Sequence, residues 1–467
     1  MLAVPGIIAL LTFIYLRPQE ISERLRELPF LYLFLFATMA GFGLDVALRK
    51  LSPRPTPQLR WGVLFLFWCA VTIVVFVPAP EMKEHMMQLL VSFILFAIIA
   101  HSVQSFRAFS AITSTVVILV LVLAMVGYHQ SRQPKGCIAL KRNVSAQLGE
   151  GKADGRGCDH YEDCYGDGAR EDEEYLCERV GLLGTTTIEG RVRYRGVLQD
   201  PNELAMVMAI GLPFLLALAS LRRRVRWYVL ALIGTVLMFY VVIKTESRSG
   251  QLAFLAVLGV YFIKRYGKKG MAIGAVLALP VLLAGGRSGA SASQSTMDRY
   301  EAWRAGLDMI RSNPVLGVGQ GNFTEYHYLT AHNSYVLIAA ELGFVGLFLW
   351  LMMIYTSFKI AYRGMKLELY GGEPGGEVTD AVIKARIWGT AVFAALVGFS
   401  ISMLFLSLSY HMVLWIYLGI SGGYYGVLRA EWPDLELRIG FKDYALVAAA
   451  SVGIIAAVSL LLRVKGF

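Results

Sequence analysis

Apolar runs of 15 to 25 residues recur along almost the whole of this 467-residue chain. A run of that length and composition is suited to a helix across a bilayer. With 56% of residues hydrophobic, the chain is expected to be all-α, a polytopic integral membrane protein with about 12 to 13 transmembrane helices and two larger periplasmic loops. The spans fall near 2 to 16, 28 to 46, 61 to 78, 87 to 103, 110 to 127, 203 to 220, 227 to 243, 250 to 263, 271 to 285, 334 to 358, 387 to 408, 411 to 428 and 444 to 462. The first run is short, and charged RPQE follows it instead of a small-residue cleavage site, so it makes a poor cleavable signal. Five regions result: helices over 1–128, a cysteine-bearing loop over 129–202, central helices over 203–285, a second outer loop over 286–333, and helices over 334–467.

Orientation follows from Lys and Arg in the short loops. The connections at 47 to 60, at Arg107, at 222 to 226 and at 264 to 270 hold thirteen basic residues and no acid, which assigns them to the cytoplasm. The alternating loops at 79 to 86, 129 to 202, 244 to 249 and 286 to 333 then lie outside. The net charge of +10 is mostly this topology signal. The basic residues form small anchoring clusters without interleaved aromatics, which excludes a nucleic-acid partner and leaves membrane lipids as their natural neighbours.

Cys137, Cys158, Cys164 and Cys177 share the first outer loop, and Cys69 lies alone in a span. An even number in an oxidising compartment favours two disulfides, with three connectivities open. Zinc competes with that reading, but no close CxxC pair is present. The acidic stretch CDHYEDCYGDGAREDEEYLCE lacks the ordered spacing of a calcium loop and reads as a solvated, stapled subdomain.

The polar residues collect on the outer side. In RVRYRGVLQDPNELA, Asp200 or Asn202 suits a helix cap and Pro201 a first turn. Capping leaves Arg191, Arg193 and Arg195 unexplained. On a strand-like segment the three would point to one side and concentrate positive charge. KTESRSG places Lys244, Glu246 and Arg248 in a tight connection, with Arg248 near the headgroup boundary, where a guanidinium meets a lipid phosphate. Asp298, Arg299, Glu301, Trp303, Arg304, Asp308 and Arg311 read as an amphipathic helix at the interface, anchored by Trp303 and ended by Asn313 and Pro314. The glycine turn GVGQG lacks the flanking strand and helix of a dinucleotide site.

In AHNSYVLIAAELGFVGLFLW a polar cluster runs into an apolar helix that carries a carboxylate. An ionisable group in a span costs about 2.5 to 3.5 kcal/mol on insertion scales, so Glu341 is expected to face inward and to be functional. A helix beginning near Asn333 puts Ser334 and Glu341, two turns apart, on one face with His332 at its mouth. Asn333, Ser334 and Tyr335 complete a run of hydrogen-bonding side chains. His327 and His332 are five apart and form no HExxH arrangement, so no metal site is expected. His411 in the SYH turn reads as structural.

At these residues the chain resembles the O-antigen ligase and polymerase superfamily, which includes lipopolysaccharide ligases, repeat-unit polymerases and some protein O-oligosaccharyltransferases. The matching features are RxxGxxxDPNELA at Arg193 to Ala205, SRSG at 247 to 250, DRxxxW at 298 to 303, NPxxGxGxGNF at 313 to 323 and HNSYxxxxxExGxxG at 332 to 346. YLRPQE at 15 to 20 is similar to the start of O-glycosylation ligases found beside exosortase systems. The cysteine-bearing insert at 130 to 180 departs from the family pattern.

The resemblance implies a glycosyltransferase of the bacterial inner membrane with its active site facing the periplasm, no cofactor, and a glycan donor on undecaprenyl pyrophosphate. The acceptor is a hydroxyl on a lipid core, a protein or a glycan. By motif position the pyrophosphate falls to Arg195, Arg248 and Arg299, with Arg304 and Arg193 in reserve. His332 takes or orients the acceptor proton, Glu341 orients or balances charge, and Asn202, Asn333, Ser334 and Tyr335 support. The competing class is a transporter of a lipid-linked saccharide, which would expose polar residues on both membrane faces and often show two similar halves. Here the polar clusters lie on one side and no internal repeat is visible.

Overall fold

The computed structural model describes residues 2–21, 28–140, 153–170, 173–284, 290–367 and 379–467. Parts of the cysteine-bearing loop and the start of the second outer loop therefore lie outside the described residues. The helices, in chain order, are α1 (Ala3–Leu16), α2 (Phe30–Ala47), α3 (Leu59–Phe76), α4 (Ala79–Ser102), α5 (Phe106–Arg132), α6 (Pro201–Arg222), α7 (Val225–Lys244), α8 (Arg248–Ala284), α9 (Ala290–Ser312), the single turn α10 (Phe323–Tyr326), α11 (Ser334–Met365), α12 (Asp380–Ser402), α13 (Met412–Glu431) and α14 (Phe441–Lys465). Among the described residues nine helices are long and apolar enough to cross a membrane: α2 to α7, α11, α12 and α14. The other expected spans fall on α1, which has only 14 residues, on α13, diluted by glycine and tyrosine, and on α8, where two expected spans form one helix bent at Gly267.

The chain divides into two compact units, interleaved in sequence. The first comprises Met1–Val4, Thr38–Ser110 and Ser288–Phe467, the second Pro5–Ala37 and Ala111–Arg287. In the first, α13 lies along α4, and glycines make that approach possible. A Cβ at Gly422 would come within 2.7 Å of the Ala100 side chain, and one at Gly423 within 2.9 Å of Val103. Small residues at helical spacing are how membrane helices pack closely without a hydrophobic drive between them. α11 packs against α3, α9, α12, α13 and α14. Loops expected on one face do meet within this unit: Gln104 Nε2 donates to the Ser52 carbonyl at 2.6 Å, joining two basic connections.

In the second unit α6 packs on α7 and α8. Here too a glycine sits at the contact, a Cβ at Gly234 falling 2.9 Å from the Leu215 side chain. Among its described residues the cysteine-bearing insert is mainly strand, with a short 3-10 turn at Tyr161–Tyr165. It forms a three-stranded antiparallel sheet in the order β2-β1-β3, from β1 (Lys135–Leu140), β2 (Ala153–Gly157) and β3 (Glu174–Arg179). Disulfides Cys137–Cys164 and Cys158–Cys177 resolve the open connectivity. Cys137, Cys164 and Tyr175 make its small core, a size that ordinarily needs covalent staples. Cys69 is a buried thiol.

Candidate functional site

α11 starts where the sequence places it. The Asn333 side-chain oxygen accepts from the Tyr335 N–H at 3.0 Å and the Val336 N–H at 3.2 Å, satisfying two donors of the first turn. About two and a half turns later the helix breaks at Gly343, whose φ of 66° and ψ of −172° suit glycine alone. The break frees three carbonyls, and each finds a donor elsewhere. Ala340 accepts from the Val318 N–H at 2.9 Å, Glu341 from the Gly319 N–H at 2.9 Å, and Leu342 from the Trp68 indole at 2.9 Å. The Phe344 N–H turns to the Pro314 carbonyl at 2.8 Å. Irregular backbone at membrane depth is tolerated only where protein satisfies it in this way. The NPVLGVGQG turn is thus a backbone partner for the broken helix.

The Glu341 carboxylate joins that turn to the segment before α13. Its Oε1 accepts from the Phe323 N–H at 3.2 Å and its Oε2 from the Tyr410 hydroxyl at 2.7 Å. Burial and the neighbouring carboxylate both push the Tyr410 pKa well above its ordinary value, so the hydroxyl stays a donor. On the far side of the turn His85 Nδ1 lies 3.0 Å from the Gln320 carbonyl and 2.9 Å from its Oε1.

Ser334 and Glu341 do share a face, and that face meets residues 403–410. Ser334 Oγ donates to the Leu406 carbonyl at 2.6 Å and accepts from the Leu408 N–H at 2.8 Å, while Tyr335 Oη donates to the Ser400 carbonyl at 3.0 Å. Asn333, Ser334 and Tyr335 are therefore engaged in holding the end of α11. His332 is half-buried with φ at 46°, a left-handed conformation rare for a residue with a side chain. The residues before it are pinned on both sides: Thr330 and Ser407 share a hydrogen bond at 2.8 Å, and Trp303 Nε1 donates to the Ala331 carbonyl at 2.8 Å.

That bond corrects the expectation for Trp303. The ring is buried rather than anchored at an interface, because its N–H has a carbonyl partner inside the protein. Arg299 is half-buried and Arg304 exposed on the same helix, α9. His411 accepts from the Val413 N–H at 3.3 Å and caps α13, as a structural histidine would.

In the second unit the expected arginine patch takes a different form. Arg191, Arg193 and Arg195 are all buried, and so are Val192 and Tyr194 between them, so no exposed strand face exists. Each guanidinium is set against main-chain carbonyls: Arg191 against Thr245 at 2.9 Å, Arg193 against Thr186 at 3.0 Å, and Arg195 against Glu20 at 2.9 Å and also Leu183. Burial pulls the Arg193 pKa down to about 10, while Glu178 and Asp200 favour its charged form. Burial also raises the Tyr194 pKa to about 12, and its hydroxyl donates to the Leu16 carbonyl at 2.8 Å. YLRPQE thus packs around Arg195, and the Arg17–Glu20 pair at 2.6 Å closes the same corner. Asp200 caps α6, accepting from the Asn202 N–H at 2.7 Å and the Asn202 side-chain amide at 2.8 Å. Arg248 is exposed at the first position of α8.

Tyr410, Gln320, His85 and Trp68 were not singled out from sequence. From sequence, 334 to 358 reads as one unbroken span, since a single glycine in an apolar run fits a continuous helix. Residues 233–351 match a family model described as O-antigen ligase. No curated protein matches the chain. The matched segment, about a quarter of the chain, takes in Arg248, Arg299, Arg304, His332 and Glu341, and leaves Arg193, Arg195 and Asn202 upstream. Within a multi-helix membrane architecture, this segment is similar to the O-antigen ligase family, which supports a likeness to the O-antigen ligase and polymerase superfamily.

Proposed function

We propose that the protein is a glycosyltransferase of the bacterial inner membrane that moves a glycan from undecaprenyl pyrophosphate to a hydroxyl acceptor at the periplasmic face. The observation that carries this reading is His332. It sits inside the segment matched to O-antigen ligase, in a strained backbone conformation fixed by Trp303, Asn333 and Thr330. Strain of this kind gathers where a side chain is held for use.

In the proposed reaction the acceptor oxygen attacks the anomeric carbon, and the bond from that carbon to the pyrophosphate oxygen breaks. His332 takes the hydroxyl proton, since an imidazole titrates near neutral pH. The leaving pyrophosphate keeps the electron pair, and its growing charge falls to Arg248 and Arg299, with Arg195, Arg304 and Arg193 assigned by motif position. One displacement inverts the anomeric centre. Glu341 acts as a positioning residue through Phe323 and Tyr410. The chemistry calls for no metal, and transfer is expected to persist in chelator.

Purified protein in bilayer discs, saturated with lipid-linked donor, tests the reading. His332→Ala is expected to cut transfer by a factor of roughly a hundred to ten thousand without changing helix content. Transfer above about a tenth of wild type removes His332 from the mechanism. We favour ligase over polymerase because the stapled insert offers a separate surface for a bulky acceptor such as a lipid core or a protein. Loss of a polymerase leaves single repeats on the final acceptor, and loss of a ligase strands long chains on the carrier.

A further inference from the structure

His332 lies two residues before the first residue of α11, and Lys359 lies towards the helix's other end. Lys359 Nζ donates to the Arg438 carbonyl at 2.9 Å, so the connection between α13 and α14 lies at the end of the first unit remote from His332. There a cleft of about 380 Å³ is lined by Arg54, Arg429, Arg438, Glu436, Tyr425 and Leu437, among others. Three guanidiniums face one carboxylate. Two of them are oriented by the main chain: Arg54 Nη1 donates to the Arg429 carbonyl at 2.5 Å, and Arg429 Nη1 to the Leu435 carbonyl at 3.1 Å. A guanidinium has five N–H donors in a planar fork, so one carbonyl bond fixes its direction and leaves donors for a ligand. Arg438 and Glu436 are exposed and 3.7 Å apart, a loose rim pair of little energetic weight.

The charge here runs against the local backbone. The carboxyl end of α13 would by itself repel an anion, and Arg54, set on the Arg429 carbonyl, together with Arg429 and Arg438 reverses that sign. Arg54 belongs to the basic connection at 47 to 60, so the cleft opens at the headgroup level of the membrane face assigned to the basic loops. Basic pockets at that level, between helix ends, suit phosphate headgroups, and Arg forks bind phosphate oxygens two at a time.

We infer that this cleft is an anion site for a phosphate-bearing group, a lipid headgroup or a soluble phosphate, on the membrane face opposite His332. The site is separate from the transfer chemistry and does not rest on it. The experiment uses the delipidated full-length protein and three variants, Arg438→Gln and Arg429→Lys in the cleft and Arg248→Ala outside it. Each is titrated with inorganic phosphate in detergent, then reconstituted in discs of phosphatidylglycerol or phosphatidylcholine, with bound anion followed by thermal shift and native mass spectrometry. Wild type is expected to bind phosphatidylglycerol, phosphate or both in a salt-sensitive manner, and Arg438→Gln to weaken that binding about tenfold, as loss of one charge-assisted contact would. A response to phosphate alone assigns a soluble ligand, and a response only to phosphatidylglycerol assigns the headgroup. Binding unchanged in Arg438→Gln, or lost instead on Arg248→Ala, overturns the proposal. Arg438 makes only a rim pair, so its variant decides the matter even if Arg429→Lys fails to fold.

Discussion

His332 holds a left-handed φ because residues on either side of it are tied down by Trp303 and Asn333, and its neighbours sort into those that touch chemistry and those that hold it in place. Glu341 belongs with the second kind. A hydroxyl bond to a carboxylate contributes about 1.5 to 3 kcal/mol. Tyr410→Phe is therefore expected to lower thermal stability in detergent by about that amount, and Glu341→Gln by a similar amount. The double variant should lose less than the sum, since both remove one bond. Full additivity would show that the two side chains do not act together. At Arg248 the expected outcome turns on shape: Arg248→Lys keeps the charge and loses the fork, so affinity for a pyrophosphate-linked donor should fall while affinity for the bare glycan is unchanged. Equal loss for both ligands would assign Arg248 to the fold. The sequence exposed Glu341 because an acid in an apolar run is conspicuous. Tyr410 stayed hidden because a tyrosine in a short turn looks like any interfacial aromatic.

Among the elements, run length and hydropathy marked the helices well, since the bilayer sets their length. The break in α11 was harder to read, because one glycine in an apolar run is compatible with an unbroken helix, and what opens it is the distant NPVLGVG backbone. Gly343→Ala is expected to destabilise the protein by at least about 1 to 3 kcal/mol from backbone strain alone. The added Cβ would also overlap the Val315 carbonyl. A thermal midpoint equal to wild type would mean that α11 can close into a continuous helix at no cost. The arginine segment at 191–195 misled for a related reason. Alternation predicts an exposed face only when one side meets water, and Gln130 and Glu20 from distant segments, with Thr186 from just upstream, enclose both sides.

For the whole molecule, the disulfides give the most direct check on topology. Cys137, Cys158, Cys164 and Cys177 are expected to resist alkylation until reduced, and Cys69 until denatured. Labelling of all four loop thiols in protein isolated without reductant would contradict the bonds. Two interleaved units could not be foreseen from the spans, which mark crossings but not partners. The clamp on α11 also has a bearing on biogenesis. The groups that cap its break at Gly343 come mostly from residues 314–319, and Phe323 supplies one bond to the Glu341 carboxylate, all already made when α11 leaves the ribosome, whereas the side-chain bonds of Ser334 and the second bond to Glu341 come from residues 406–410. Those arrive only after α12 has been synthesised. A nascent chain halted before Tyr410 would carry every upstream motif and still lack the donor to Glu341 Oε2. The Tyr410 hydroxyl is thus the last hydrogen-bond donor to reach that carboxylate as the chain is made.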